Sequence, residues 1–187
     1  MKEKKQLFRV KLLASEEFEN KEISDTFCSD YSFLINRRFC LNLSELIDTN
    51  KFQYKIWFRI FKVENGIAYS KFDSVETLRE RIYSAIFPGI KVIRVYVNAM
   101  TKEKIPFRFK FVLTFKKIKG KQEKAIRKII EENLNKIVSE LTIKELINNM
   151  IIKNTIFKKL EKEIKKIAIP LFFEIIKIER KEKPITS

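Results

Sequence analysis

The segment PFRFKFVLTFKK, residues 106–117, has the most regular two-residue alternation in the chain. Successive side chains of a β-strand point to opposite faces of the sheet, so alternation sorts the residues into two faces. One face is apolar and the other is largely cationic: Phe107, Phe109, Phe111, Leu113 and Phe115 against Arg108, Lys110, Thr114 and Lys116. We interpret the segment as a strand with its phenylalanines in the core and its cations outside.

Further strands are predicted on both sides of this segment. The dipeptide Asn65-Gly66, typical of two-residue hairpin turns, separates FQYKIWFRIFKVE (52–64) from GIAYSKF (66–72). Shorter mixtures of apolar and polar residues predict strands at 6–13, 37–43, 91–97 and 171–180. The polar residues between the first two of these are predicted to form a loop.

Helical periodicity first interrupts the strand pattern and then replaces it. A short helix is predicted from a cap at Asp73 or Ser74 to Pro88-Gly89. After Gly120 the apolar residues follow a 3.6-residue period, which predicts a helix over about 121–140. A capping box at 142–145 predicts a second helix, and a third is predicted from Asn154 to Pro170.

These elements predict one α+β domain over residues 1–187. About seven strands would form a twisted sheet or a partly closed β-barrel, with flanking helices that are mostly C-terminal. Residues 1–120 are predicted to be mainly β with one short helix, 121–169 a helical layer, and 170–180 a strand that returns to the sheet. KEKPITS, residues 181–187, is predicted to be a polar tail.

The net charge indicates a polyanionic partner. The chain has 40 Lys and Arg against 24 Asp and Glu, a formal charge of +16. No apolar run approaches the roughly 20 residues of a membrane span, and the start MKEKKQLFRV lacks the apolar core of a secretory signal. We therefore expect no membrane association and a cytosolic or organellar location. Glu123 and Glu131 on the predicted helix 121–140 also disfavour binding to a membrane surface.

The residue types that are missing argue against catalysis. The chain contains no His, which removes the commonest general base, His-ligated metals and Ser-His or Cys-His nucleophiles. Its three glycines, at 66, 89 and 120, are too far apart for a phosphate-cradling loop. We therefore predict no enzyme, no catalytic residue, no metal site and no cofactor.

The positive charge is concentrated between Lys91 and Lys128. This segment contains thirteen Lys and Arg but only two acidic residues, Glu103 and Glu123, which gives a net charge of +11. A solvated basic sheet face is the plainer interpretation, but this concentration favours contacts with nucleic-acid phosphates, which position a protein without reading sequence. The phenylalanines could stack on bases, although their shared face favours the core. The candidate RNA-binding residues are Arg37, Arg38, Lys91, Arg94, Lys102, Lys104, Arg108, Lys110, Lys116, Lys117, Lys119, Lys121, Lys124, Arg127 and Lys128.

Several segments, taken in order, resemble one known family. They are LFRVKLL, NRRFCLNLSEL (36–46), KVENGIAYSKFDSVETLRERIYSAI (62–86), VNAMTKEKIPFRFKFVLTFKK (97–117), QEKAIRKIIEENL, TIKELINNMI and IAIPLFFEIIKIERKEKP. Together they cover nearly the whole chain, and they are similar to the S-one-e (also S-three-A-e) family of small-subunit ribosomal proteins of archaea and eukaryotes.

The resemblance implies a β-barrel-like domain with flanking helices that binds small-subunit rRNA on the ribosomal platform, near the mRNA exit. It implies neighbours of the S-eleven and S-twenty-six-e types, no homo-oligomer, and a cytoplasmic ribosome, with a nucleolar stage during assembly in a eukaryote. The family's basic strand-and-loop segment corresponds by position to Arg108, Lys110, Lys116, Lys117 and Lys119. Its Arg-Lys pair at the first long helix corresponds to Arg127 and Lys128.

The chain also departs from the family pattern. The basic N-terminal extension is reduced to MKEKK, the C-terminal tail is short, and residues 71–74 replace a family motif that ends in glycine. Abundant Lys, Ile and Asn suit a lineage with a reduced, AT-rich genome, so a microsporidian source is one hypothesis and an archaeon another. The alternative function is an RNA-binding or RNA-chaperone module that acts off the ribosome.

Overall fold

The computed structural model describes residues 7–181, which form one eight-stranded sheet with helices packed against it. The strands are β1 Phe8–Leu13, β2 Glu22–Cys28, β3 Arg38–Asn42, β4 Tyr54–Glu64, β5 Ile67–Thr77, β6 Lys91–Met100, β7 Pro106–Phe115 and β8 Phe172–Arg180. The α-helices are α1 Leu43–Leu46, α2 Arg79–Tyr83, α3 Gly120–Ser139, α4 Ile143–Ile147 and α5 Thr155–Lys165. Short 3-10 turns at Glu16–Phe18 and Tyr31–Leu34 and a π-helical turn at Asn148–Ile152 complete the α+β fold.

The sheet branches at β5. β4 pairs along the whole of one edge of β5, from Tyr54 opposite Thr77 to Glu64 opposite Ile67. The other edge is shared, because β1 pairs in parallel with its first residues and β8 pairs antiparallel with its last. The order β8-β7-β6 then continues one branch, and β2 lies beyond β1. Within residues 7–181, β2, β3 and β6 each pair on one edge only, so the sheet is open rather than closed into a barrel.

The predicted hairpin, the helices predicted at 121–140 and after Thr142, and the last strand are confirmed, whereas the third helix ends at Lys165 and not at Pro170. Asn65 and Gly66 have φ angles of 49° and 74°, and positive φ at both positions is the geometry of the hairpin turn that matches strand twist. At the start of α4, Thr142 Oγ1 accepts a bond from Glu145 N at 3.3 Å, while Thr142 N donates to Glu145 Oε2 at 2.9 Å. β8 returns to the sheet between β5 and β7, as predicted for the last strand.

The prediction of a helix from Asp73 or Ser74 to Pro88 is wrong in its first part. β5 continues to Thr77, and α2 is confined to Arg79–Tyr83. The local capping signal is overridden because Ser74 and Glu76 pair with Glu179 and Lys177 of β8, about a hundred residues later in the chain. Such long-range pairing is invisible to a local pattern.

The loop predicted between the first two strands is also partly wrong. β2, residues Glu22–Cys28, lies in it as an edge strand paired with β1. Its polar composition hides it, because ion pairs such as Lys11 Nζ to Glu22 Oε1, 3.0 Å, link it to β1 on an exposed face. The sequence pattern does not predict α1, residues Leu43–Leu46, either, and Gln6 and the tail beyond Lys181 lie outside the described residues.

The core lies between the phenylalanine face of β7 and the C-terminal helices. Phe107, Phe109, Phe111 and Phe115 are essentially inaccessible to solvent and belong to one cluster with the apolar sides of α3 and α5. Each fully buried aromatic ring contributes roughly 2–3 kcal/mol by removal of apolar surface from water. The predicted core role of these phenylalanines is confirmed. On the opposite face Arg108 and Lys110 are half-buried, whereas Val112 and Thr114 are fully buried, so only the first half of that face is open to other contacts.

Candidate nucleic-acid interface

The outer face of β7 carries cations that already have polar partners. Lys110 Nζ lies 3.0 Å from Glu179 Oε1 of the adjacent β8, and Arg108 Nε donates to Asn98 Oδ1 of β6 at 3.1 Å. Burial acts to raise the pKa of Glu179, but the bond from Lys110 and the charges of Lys110 and Lys177 outweigh it and hold that pKa below its ordinary value. Lys110 therefore already has an ion-pair partner within the sheet.

Arg38 is engaged in the same way on the other branch of the sheet. Asp73, 8% exposed, accepts Arg38 Nη2 at 2.7 Å and Arg59 Nε at 2.9 Å. The Arg38 guanidinium also lies over the ring of Trp57, 4.9 Å from its centroid, in a cation–π arrangement. Its neighbour Arg37 is exposed, and residues 7–181 provide it with no ion-pair partner.

Five lysines at the connection between β7 and α3 have a different environment. We call them the lysine rim: Lys116, Lys117, Lys119, Lys121 and Lys124, all exposed and all without an ion-pair partner among residues 7–181. Lys91, the cross-strand partner of Phe115, lies at the same end of the sheet. The acid within this stretch, Glu123, is bound by Arg127 at 2.8 Å, and that bond lowers the pKa of Glu123.

The rim also coincides with the first turn of α3. A helix N-terminus carries a partial positive charge and free backbone N–H groups, so lysines there are intrinsically unfavourable and an anion there is favourable. α3 is 20 residues long and begins at Gly120, between Lys119 and Lys121. The lysines and the helix terminus thus present positive potential in the same place.

The remaining candidates are spread over other parts of the molecule. Lys102 and Lys104 lie in the turn before β7, and the ten residues of β7 put that turn about 30 Å from the rim. On α3, Arg127 is tied to Glu123 and also donates to the Arg94 carbonyl at 2.5 Å, while Lys128 lies 3.7 Å from Glu132. Arg94 is exposed on β6. The net charge of +11 is therefore divided between two ends of one hairpin rather than gathered on one surface.

The buried carboxylate of Glu174 serves the fold. It accepts Tyr54 Oη at 2.9 Å and Arg81 Nε at 2.8 Å, which connects β4, α2 and β8. Burial, followed by the charge of Glu174, raises the pKa of the Tyr54 hydroxyl. Residues 7–181 contain no group of three or more Cys, Asp or Glu arranged to hold a metal ion.

The partners of these cations are what sequence reasoning missed. Glu179 pairs with Lys110, and Asp73 with Arg38, from different strands of the sheet. No spacing of residues in the local sequence could therefore indicate these pairs. Glu123 and Arg127, by contrast, are four residues apart on one helix, and that spacing is a signal that sequence could have supplied.

None of the described helices has the length and apolar character needed to cross a membrane.

Fold and surface together define a basic α+β protein. The five lysines of its rim have no ion-pair partner among residues 7–181, and its buried carboxylates stabilise the sheet. Comparison with known proteins identifies the family within this class. The model of the Ribosomal S3Ae family matches residues 2–184, and the chain belongs to that family. Its members are structural ribosomal proteins and not enzymes, so the prediction that the chain is not an enzyme is confirmed.

Three archaeal proteins illustrate the similarity, each named small ribosomal subunit protein eS1. The chain is 32% identical to that of Methanopyrus kandleri over 128 residues, 65% of the chain and 61% of the relative. It is 30% identical to that of Methanothermobacter thermautotrophicus over 169 residues, 89% of the chain and 86% of the relative. For Staphylothermus marinus the identity is 31% over 142 residues, 75% of the chain and 67% of the relative. The microsporidian source stays a hypothesis.

Proposed function

We propose that this protein is a structural constituent of the small ribosomal subunit and that it binds small-subunit rRNA through the lysine rim. The names of its relatives and its family membership support a place in the small subunit. A charge of +16 supports a polyanionic partner.

The proposal that the lysine rim binds rRNA rests on one observation, the difference in ion pairing between the rim lysines and candidate cations such as Lys110 and Arg38. Lys110 and Arg38 each have a carboxylate within 3.0 Å, whereas residues 7–181 offer none to the five rim lysines. An unpaired lysine can release condensed counterions when it meets a phosphate, which is the main source of affinity for nucleic-acid backbones. A lysine that is already paired must first give up its partner. Rim lysines therefore contribute more to rRNA affinity than the cations of the outer face.

The proposal extends to a position in the particle. We propose a position on the platform near the mRNA exit, beside proteins of the S-eleven and S-twenty-six-e types, on cytoplasmic ribosomes, with a nucleolar stage during assembly if the cell is eukaryotic. The family resemblance supports this proposal. Cross-linking mass spectrometry on purified small subunits tests these neighbours. Cross-links from rim lysines to nearby proteins of those two types are expected, and cross-links only to proteins of the opposite side of the subunit would contradict this position.

Sedimentation tests the ribosomal role itself. In a sucrose gradient of cell extract, the protein should follow the small subunit at about one copy per particle, and it should stay there in moderate salt. A free RNA-binding or RNA-chaperone module would remain near the top of the gradient, or would spread over fractions in proportion to their RNA.

A further inference from the structure

The 3-10 turn at Glu16–Phe18 lies in a part of the chain with the opposite charge to the rim. Residues 14–30 contain six acids and one lysine, a net charge of −5 in a protein of +16. Beside this turn lies an open cavity of about 400 Å³. Apolar groups of Phe61 and Ile105 form part of its wall, and its carboxylates are Glu16, Glu17 and Glu103.

Two side-chain oxygen atoms at this cavity have no hydrogen-bond partner among residues 7–181. Ser15 is 1% exposed, it lines the cavity, and no group of residues 7–181 forms a hydrogen bond with its Oγ atom. Glu17 Oε2 is shielded from solvent and is likewise without a bonding group in that part of the chain. A buried polar atom without a hydrogen bond is costly, and most such atoms in folded proteins are satisfied. The two atoms are held in place because the Ser15 carbonyl accepts Phe18 N at 2.8 Å and fixes the turn.

The chemistry of these atoms defines what would satisfy them. A carboxylate oxygen only accepts hydrogen bonds, so the partner of Glu17 Oε2 must be a donor. A phosphate group offers acceptors and would be repelled by three carboxylates. The ammonium of lysine or the guanidinium of arginine offers several donors and positive charge, and its aliphatic stem suits the apolar wall. Lys71 and Arg180 also line the cavity, but each already has a partner of its own.

We propose that this cavity receives a lysine or arginine side chain from an extended basic segment of another polypeptide. Glu17 also borders a second cavity, of about 610 Å³, where Glu19 and Asp48 add two more carboxylates. Two lysines line that cavity as well, Lys21 and Lys144, against its three carboxylates. Lys21 already has hydrogen-bond partners, since its Nζ donates to the Glu45 carbonyl at 2.9 Å. An extended segment can therefore place one basic side chain in each of the two cavities that Glu17 borders. This surface is separate from the lysine rim and does not depend on rRNA binding.

The test uses the full chain and the peptide acetyl-Gly-Arg-Gly-Arg-Gly-amide, with binding followed by the amide chemical shifts of residues 15–19. We expect Glu17→Gln to weaken peptide binding about tenfold or more, the scale set by loss of a hydrogen bond to a charged group. Glu131→Gln is the matched control, because Glu131 is exposed on α3 and the change in net charge is the same. Ser15→Ala, which keeps the backbone bonds of the turn, should weaken binding to a smaller extent.

Single-stranded oligouridine is the second ligand, and it separates this proposal from the first. Its affinity should be the same for Glu17→Gln and for Glu131→Gln, and it should not shift the amides of residues 15–19. Thermal unfolding checks that Glu17→Gln folds; its melting temperature should equal or exceed that of the unchanged protein, because a shielded charge has been removed. Equal peptide affinities for Glu17→Gln and Glu131→Gln, no peptide binding at millimolar concentration, or RNA bound at the turn would each overturn the proposal.

Discussion

The outer face of β7 and the lysine rim follow one another directly in the sequence, yet their cations are in opposite situations. On the outer face, Lys110 lies against Glu179 and Arg108 is bonded to Asn98. In the rim, which starts directly after β7 at Lys116, the lysines extend from a connection and a helix terminus that carry no free carboxylate among residues 7–181. A count of charges along the chain treats both regions alike. The fold separates them, because pairing between strands supplies acids to one region and not to the other.

The largest effect expected from this comparison concerns Asp73. Asp73→Asn removes the negative charge that Arg38 and Arg59 share at a site that is 8% exposed. We expect a loss of about 2–3 kcal/mol in the free energy of unfolding, below the full cost of breaking a buried pair because both arginines are partly solvated. Urea denaturation measures it. Glu64→Gln is the control, since its pair with Lys62 is about half exposed on both side chains and its loss should change stability by less than about 0.5 kcal/mol.

A smaller effect is expected for Lys110. Lys110→Met should cost about 1 kcal/mol or less, because the pair with Glu179 is only partly shielded from water. A double-mutant cycle with Glu179→Gln should recover most of this loss as coupling energy. The same Lys110→Met variant should leave the salt dependence of RNA binding unchanged. A flatter salt dependence would move Lys110 from the paired face to the phosphate contacts.

Glu179 also makes the free energy of unfolding depend on pH. Its pKa is lowered in the folded protein, so its ionised form stabilises the fold. This stabilisation is complete above the pKa of an unfolded glutamate, about 4.3, and is lost as the pH falls through the lower pKa of the folded state. The difference in unfolding free energy between the unchanged protein and Glu179→Gln should therefore shrink between pH 6 and pH 3. A constant difference over that range would show that the pair does not depend on the charge of Glu179.

The smallest effect on stability is expected in the rim. Replacing Lys116, Lys117, Lys119 and Lys121 by Gln removes no ion pair within residues 7–181 and relieves repulsion near the start of α3. The melting temperature should stay constant or rise slightly. A clear drop would mean that these lysines support the fold, contrary to the contrast between the rim and the outer face.

The fold could be predicted where the pattern was local. The alternating phenylalanines of β7, the Asn65-Gly66 turn and the period of α3 each reflect forces between near neighbours, and each prediction is confirmed. The prediction for the end of β5 is wrong because the conformation of that segment is determined by its pairing with β8. β2 is not predicted because this edge strand carries ion pairs on its exposed face and lacks an apolar pattern. Sequence reveals the pattern of a segment, but not the partner that it will meet.

The candidate site divides in the same manner. The rim is among the predicted residues because its lysines follow one another in the chain. The pairing of Lys110 and Arg38 could not be predicted, since Glu179 and Asp73 reach them across strands. The acidic residues around the turn Glu16–Phe18 are visible in the sequence, but the cavity beside the turn is not, because it is formed with residues from distant segments, among them Phe61, Glu103 and Arg180.

The salt dependence of rRNA binding tests the central claim most directly. The affinity of the protein for a small-subunit rRNA fragment is measured from 50 to 300 mM salt for three chains: the unchanged protein, the rim variant with Gln at 116, 117, 119 and 121, and a control with Gln at Lys153, Lys158, Lys159 and Lys162. The control makes the same charge change on and beside α5. For the rim variant we predict a log-log slope flatter by roughly 0.7–0.9 for each phosphate that the protein no longer neutralises, and for the control a slope close to that of the unchanged protein. Equal slopes for the rim variant and the unchanged protein would contradict the account.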